Sequence, residues 1–167
     1  MEIVIIFLAS RLPSLIVGGV LLSTFFISDK RRTEFILLLL LVSVGSLLLG
    51  GIAGLLIENP RPFVTEQIIP LIPHDPTNGF PSTHTLVTVS LALVVFVYEK
   101  RIGAVLFLLA ILVGVGRVLA HVHSVVDVLG GITISIVATL GSIFLMRSRF
   151  GKDMLIRVRG WLAQYTP

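Results

Sequence analysis

The chain has 167 residues, of which 55% are hydrophobic and only 13% charged. Its mean hydropathy of +1.04 excludes an ordinary soluble domain and indicates a membrane protein. It contains no cysteine, which removes disulfides and thiolate metal sites, and the pI near 10.1 does not indicate nucleic-acid binding, because the basic residues flank apolar runs without interleaved base-stacking aromatics.

A hydrocarbon core about 30 Å thick is crossed by about 20 apolar residues in a helix. The first such run extends from Ile3 to Ile27, interrupted by Arg11 and Pro13. It lacks a basic leader and a small-residue cleavage pattern, so it reads as a retained helix and not as a signal peptide. Further runs cover Glu34 to Ile57, Thr83 to Val97, Ile102 to Leu119 and Ser124 to Met146, the third being short. The expectation is an all-α membrane bundle of about five helices, forming one domain over residues 1–167. The tail from Lys152 to about Gln164 alternates basic and apolar residues, as an amphipathic helix lying in the membrane interface does.

The connections alternate in charge. Lys30, Arg31, Arg32, Lys100, Arg101, Arg147, Arg149, Lys152, Arg157 and Arg159 fall on one side, which the lysine and arginine bias of cytoplasmic loops assigns to the cytoplasm. An odd number of spans then gives an N-out, C-in protein of the cell membrane. The outer side holds the long loop from Glu58 to Ser82 and the junction from Ala120 to His123.

Nearly all the unusual polar residues gather on that outer side: Arg61, His74, Asp75, Ser82, Thr83, His84, Arg117, His121, His123 and Asp127. Ionisable groups in or near membrane spans are costly and usually mark function. His123 and Asp127, four apart, are expected on one helical face, where the carboxylate fixes the imidazole tautomer and frees the other ring nitrogen for attack. His121 falls on the opposite face of a continuous helix and is expected to support the site or to sit in a loop. Pro81 and Ser82 suit a helix start, whose free N–H groups bind anions. His84 in that first turn is placed to protonate a leaving oxygen, and Arg61 and Arg117 to hold phosphate oxygens. His74 and Asp75 read as loop residues. Glu58 reads as the end of the second span, within reach of an ion pair with Arg61.

Three blocks, Arg61-Pro62, Pro81-Ser82-Thr83-His84, and Arg117 followed by His123 and Asp127, resemble the type 2 phosphatidic acid phosphatase superfamily. That family includes lipid phosphatases, undecaprenyl-diphosphate phosphatases, glucose-6-phosphatase and vanadium haloperoxidases. The resemblance implies a helical core with an extracytoplasmic site and neither metal nor cofactor. It implies that His123 forms a phosphohistidine, Asp127 orients it and His84 protonates the leaving group. Phosphate is then held by Arg61, with its neighbour Pro62, and by Ser82, Thr83 and Arg117. The loop His74-Asp75-Pro76-Thr77-Asn78-Gly79-Phe80 looks more like the undecaprenyl-diphosphate branch than the phosphatidic acid branch.

The chain departs from the family in three ways. Gly54 stands where a lysine is usual, Gly116 replaces a serine, and five spans replace the common six. Arg11 is a candidate substitute for the lysine cation. The departures point to an activity that is narrow, weak or dependent on a homodimer.

The expected activity is hydrolysis of an undecaprenyl or other polyprenyl diphosphate to its monophosphate, with the membrane lipid entering from the bilayer. Phosphatidylglycerol phosphate, phosphatidic acid or a lipid A phosphate is the alternative substrate. Readings from other classes are a catalytically silent relative, a metal hydrolase using Asp75, His121, His123 and Asp127, and a transporter or ion relay. The relay would need polar groups throughout the membrane depth, whereas these spans are apolar below the outer third.

Overall fold

In the computed structural model, which describes residues 1–162 and 164, the regular structure is helical throughout the described residues. The first span is α1 (Glu2–Ile6), a π-helical turn (Phe7–Arg11) and α2 (Leu12–Ser23), which together run as one apolar rod. The break falls at Arg11 and Pro13, where the sequence interrupts its apolar run, and Pro13 sits in the first turn of α2, where its missing N–H costs nothing. Next come α3 (Asp29–Leu56), the short α4 (Pro62–Thr65), α5 (Thr83–Tyr98), α6 (Lys100–Leu119), α7 (Val125–Arg147) and α8 (Arg149–Leu162). Four stretches, Glu2–Ser23, α3, α6 and α7, are long and apolar enough to cross a membrane, and α5 is a shorter apolar helix of 16 residues.

α5 is the axis of the bundle. It packs against α2, α3, α6 and α7, and Thr85, Leu86, Thr88, Val89, Ser90, Ala92, Val94 and Val95 are all buried along it. Its neighbours turn their other faces outward: Leu40, Val44, Leu48 and Leu55 of α3 and Val137, Leu140 and Phe144 of α7 are exposed, as residues facing acyl chains are. The main core joins Ile16 and Val20 of α2, Phe35, Leu38 and Val42 of α3, and Val89, Val94 and Val113 of α5 and α6.

Small residues set the close approaches. A Cβ on Gly103 would collide with the backbone of Phe96, so the α5–α6 hairpin needs glycine there. A Cβ on Gly131 of α7 would lie 3.0 Å from the Ser82 carbonyl and 3.2 Å from the Leu86 nitrogen, which lets α7 press on the first turn of α5. Ser135 holds the same contact by donating to the Leu86 carbonyl at 2.8 Å.

The basic residues expected in the cytoplasm gather at one end of the bundle. Arg159 of α8 donates to the Lys30 carbonyl at 2.9 Å, and the Arg31 guanidinium lies 4.7 Å from the centre of the Tyr98 ring. α8 alternates charge with exposed apolar residues such as Phe150 and Ile156; Ala163, in the tail expected to continue it, lies outside the described residues. The end of α3, the start of α5, the end of α6 and the start of α7 meet at the opposite end, roofed by the loop between α4 and α5.

Candidate active site

The last turn of α6 closes where His121 adopts a left-handed conformation, φ 60°, and three residues later Ser124 caps α7. Ser124 Oγ accepts from the Asp127 N–H at 3.2 Å while the Asp127 carboxylate accepts from the Ser124 N–H at 2.8 Å, a reciprocal capping box. Asp127 is thus fixed by the helix start itself. His123 lies outside the helix, and its Nδ1 is 3.3 Å from Asp127 Oδ2. The expected pairing holds, but it runs through the cap and not along a helical face. His121 is directed away by its left-handed backbone and is exposed; its carbonyl accepts the Phe63 N–H at 3.2 Å.

Asp127 has a further partner that the sequence reading missed. Asn59 Nδ2 donates to Asp127 Oδ1 at 2.7 Å and to Ser124 Oγ at 2.8 Å. Asn59 is held in turn by Asn78, whose Oδ1 accepts the Asn59 N–H at 2.9 Å and whose Nδ2 donates to the Gly54 and Ile57 carbonyls, each at 2.8 Å. A Cβ on Gly79 would lie 2.8 Å from Asp127 Oδ2, so only glycine lets the loop close on the carboxylate.

Arg61 crosses the site from the other side. Its Nη1 donates to the Val122 carbonyl at 2.7 Å and lies 3.2 Å from His123 Nε2, while Nε and Nη2 donate to the Thr77 and Asn78 carbonyls at 3.1 and 3.3 Å. Glu58 is exposed and forms no ion pair with it; carbonyls occupy the donors that a carboxylate would take. Burial lowers the Arg61 pKa from its ordinary value, with Asp127 and Asp75 opposing. Burial likewise lowers that of His123, opposed by its hydrogen bond to Asp127 and reinforced by Arg117 and Arg61, so the ring is held neutral. With Nδ1–H directed to Asp127, the lone pair of Nε2 faces Arg61.

Arg117, near the end of α6, is 3% exposed. Its Nη1 makes one long contact, 3.5 Å, to the Ala9 carbonyl in the π-helical turn, and its buried Nε and Nη2 have no hydrogen-bond partner among the described residues. A buried guanidinium with two unused donors is a costly arrangement unless an anion is bound.

Thr83 and His84 are exposed at the start of α5. They border two grooves. One, of about 330 Å³, runs along α3 and is lined by Gly51, Gly54, Arg61, Asn78 and Thr83. The other, of about 260 Å³ and mainly apolar, is lined by Pro13, Val17, Thr83, His84 and Val87. Ser82 is turned inward: it is fully buried, its Oγ accepts from Thr85 Oγ1 at 3.0 Å, and its N–H donates to the Asp127 carbonyl at 3.0 Å. Pro62 opens α4 and shapes the backbone after Arg61.

Arg11 stays outside this group, exposed at the end of the π-helical turn with no described hydrogen bond to the site. Both glycine departures have a packing reason. A Cβ on Gly54 would lie 2.9 Å from the Phe80 carbonyl, and one on Gly116 would lie 2.7 Å from Leu8 Cβ and 2.9 Å from the Ala9 nitrogen. His74 lies in the loop, as expected, and its ring is edge-on to that of His123 with ring centres 5.8 Å apart. Among the described residues no three histidine, aspartate or glutamate side chains converge as a metal site.

The model of the PAP2 superfamily matches residues 35–150. The bacitracin transport permease protein BcrC of Bacillus licheniformis is 30% identical over 138 residues, covering 82% of this chain and 68% of that protein. The undecaprenyl-diphosphatase BcrC of Bacillus subtilis (strain 168) is 26% identical over 142 residues, covering 83% and 72%. The crystal structure of Aquifex aeolicus LpxE superposes with a TM-score of 0.61 at 24% identity, over 83% of this chain and 92% of that one, a likeness of fold. The matched region contains all three motif blocks, and the chain belongs to the PAP2 superfamily as a membrane phosphatase.

Proposed function

We propose that the protein hydrolyses a polyprenyl diphosphate of the undecaprenyl type to its monophosphate, by a metal-independent route through phosphohistidine on the extracytoplasmic face. The observation that carries the mechanism is the relay Asn59–Asp127–His123, which leaves His123 Nε2 free of everything but Arg61 Nη1 at 3.2 Å. The substrate's terminal phosphoryl group enters between Arg61, Arg117 and the α5 amino terminus and takes over the Arg61 and Arg117 donors. Nε2 attacks phosphorus in line, a P–N bond forms, and the bond to the bridging oxygen breaks. Asp127 stabilises the imidazolium as it develops.

His84 gives a proton to the departing oxygen and then takes one from the water that cleaves the P–N bond, releasing inorganic phosphate. The departing chain lies in the apolar groove beside His84. Arg61 and Arg117 balance the phosphoryl charge, the task a metal performs in other phosphatases. The diphosphate is favoured over a glycerolipid by the curated relative that bears the undecaprenyl-diphosphatase name. The extracytoplasmic placement is supported by the basic residues collected at the far end of the bundle.

The test is phosphate release by the purified, detergent-solubilised protein in excess chelator. Undecaprenyl diphosphate, phosphatidylglycerol phosphate and phosphatidic acid are offered in parallel, beside His123→Ala. Release that favours the diphosphate and disappears in the variant is the expected result. A preference for a glycerolipid would move the substrate and keep the mechanism, whereas release unchanged in His123→Ala would sink the nucleophile.

A further inference from the structure

The loop over the site is fastened on both sides of His74. Before it, Leu71 donates to the Ala120 carbonyl at 3.3 Å, and Ile72 is buried with Ala9, Ala120 and Val122. After it, the Thr77 and Asn78 carbonyls accept from Arg61 at 3.1 and 3.3 Å. The four residues between these anchors are Pro73-His74-Asp75-Pro76, and each proline fixes its own φ. A stretch so constrained has little backbone entropy left to lose on binding.

That side chain is directed at the nucleophile. The His74 ring meets the His123 ring edge-on, with centres 5.8 Å apart and planes at 85°. Arg61, Arg117 and His84 also lie close enough to act on it electrostatically. His74 therefore touches the nucleophile's ring and lies within electrostatic range of Arg61, Arg117 and His84.

We propose that His74 is a phosphate-contacting residue, donating a ring N–H to an oxygen of the phosphoryl group bound between His123, Arg61 and Arg117. The inference rests on the phosphatase reading and adds a ligand outside the three motif blocks. Its chemistry suits the place. Burial first, then Arg61, Arg117, His123 and His84, push the His74 pKa down to about 4. At neutral pH the ring is uncharged and offers one donor and one acceptor. A third cation here would be repelled by the two guanidinium groups, whereas a neutral ring adds a donor to the anion without adding charge.

The experiment is calorimetric titration of the purified full chain in detergent with inorganic phosphate, comparing wild type with His74→Ala, His74→Phe and His74→Gln. Phenylalanine keeps the ring edge without a donor, and glutamine keeps a donor without the ring. If His74 contacts phosphate, alanine and phenylalanine weaken binding roughly tenfold while glutamine stays within about threefold of wild type. Unchanged phosphate binding in His74→Phe, or equal weakening in all three variants, would show that the ring only packs, and would overturn this inference while leaving the phosphatase reading intact. A wild type that binds no phosphate would also overturn this inference, while the phosphatase reading is decided separately by the release assay with His123→Ala.

Discussion

At the residue scale the site is built on a carboxylate held by three donors. Asp127 accepts from Asn59, from the Ser124 backbone and from His123, so its orientation is determined before substrate arrives. Asn59→Leu removes the 2.7 Å donor, and kcat is expected to fall roughly ten- to a hundredfold with KM little changed, as steady-state kinetics on the chosen lipid would show. His84 carries a prediction that depends on substrate. A diphosphate expels a phosphate, which departs with little help, whereas a phosphomonoester expels an alkoxide that needs the proton. His84→Ala is therefore expected to slow monoester hydrolysis at least about tenfold more than diphosphate hydrolysis, and equal losses on both would remove His84 as the acid. The sequence carried His123, Asp127, Arg61 and Arg117 plainly, because their spacing is local or belongs to a known pattern. Asn59 was not legible, and His74 was grouped with the outer polar residues without its contact to His123, since their partners lie 68 and 49 residues further along the chain.

At the element scale, apolar length and charge were enough to read the five apolar helices within a few residues of their observed ends, although only four of them are long and apolar enough to cross a membrane and α5 is shorter. What could not be read was close approach. The π-helical turn that brings the Ala9 carbonyl to Arg117, and the loop that lies against Gly54, depend on which backbones meet. Gly54 shows the consequence. Restoring the family lysine there places a Cβ 2.9 Å from the Phe80 carbonyl, so Gly54→Lys is expected to destabilise the protein by about 1–3 kcal/mol and to bring no gain in turnover. A thermal melt and a phosphate-release assay check the two halves. A variant both stable and faster would mean that the loop yields and that the site lacks a cation.

At the scale of the whole molecule, the basic end and the site end are separated by the length of the bundle, which makes orientation testable. Because the chain has no cysteine, single cysteines at exposed Pro76 and exposed Lys100 can be labelled in intact cells without background. An impermeant thiol reagent is expected to reach Pro76→Cys and not Lys100→Cys; the reverse pattern would invert the topology. The central helix adds a constraint of its own. Its 16 residues rise roughly 24 Å against a hydrocarbon thickness of ~30 Å. Tyr98, with Arg31 against its ring, is the kind of aromatic and basic pair that anchors a helix at the interface. The opposite end of α5, with Thr83 and His84, then stops roughly 6 Å short of the far boundary. A lipid phosphate must sink out of its own headgroup layer to be cut, or the leaflet must dimple to meet the pocket. Bilayer thickness thereby becomes a control on rate: reconstitution into shorter-chain lipids is expected to speed turnover, and thicker, sterol-stiffened membranes to slow it.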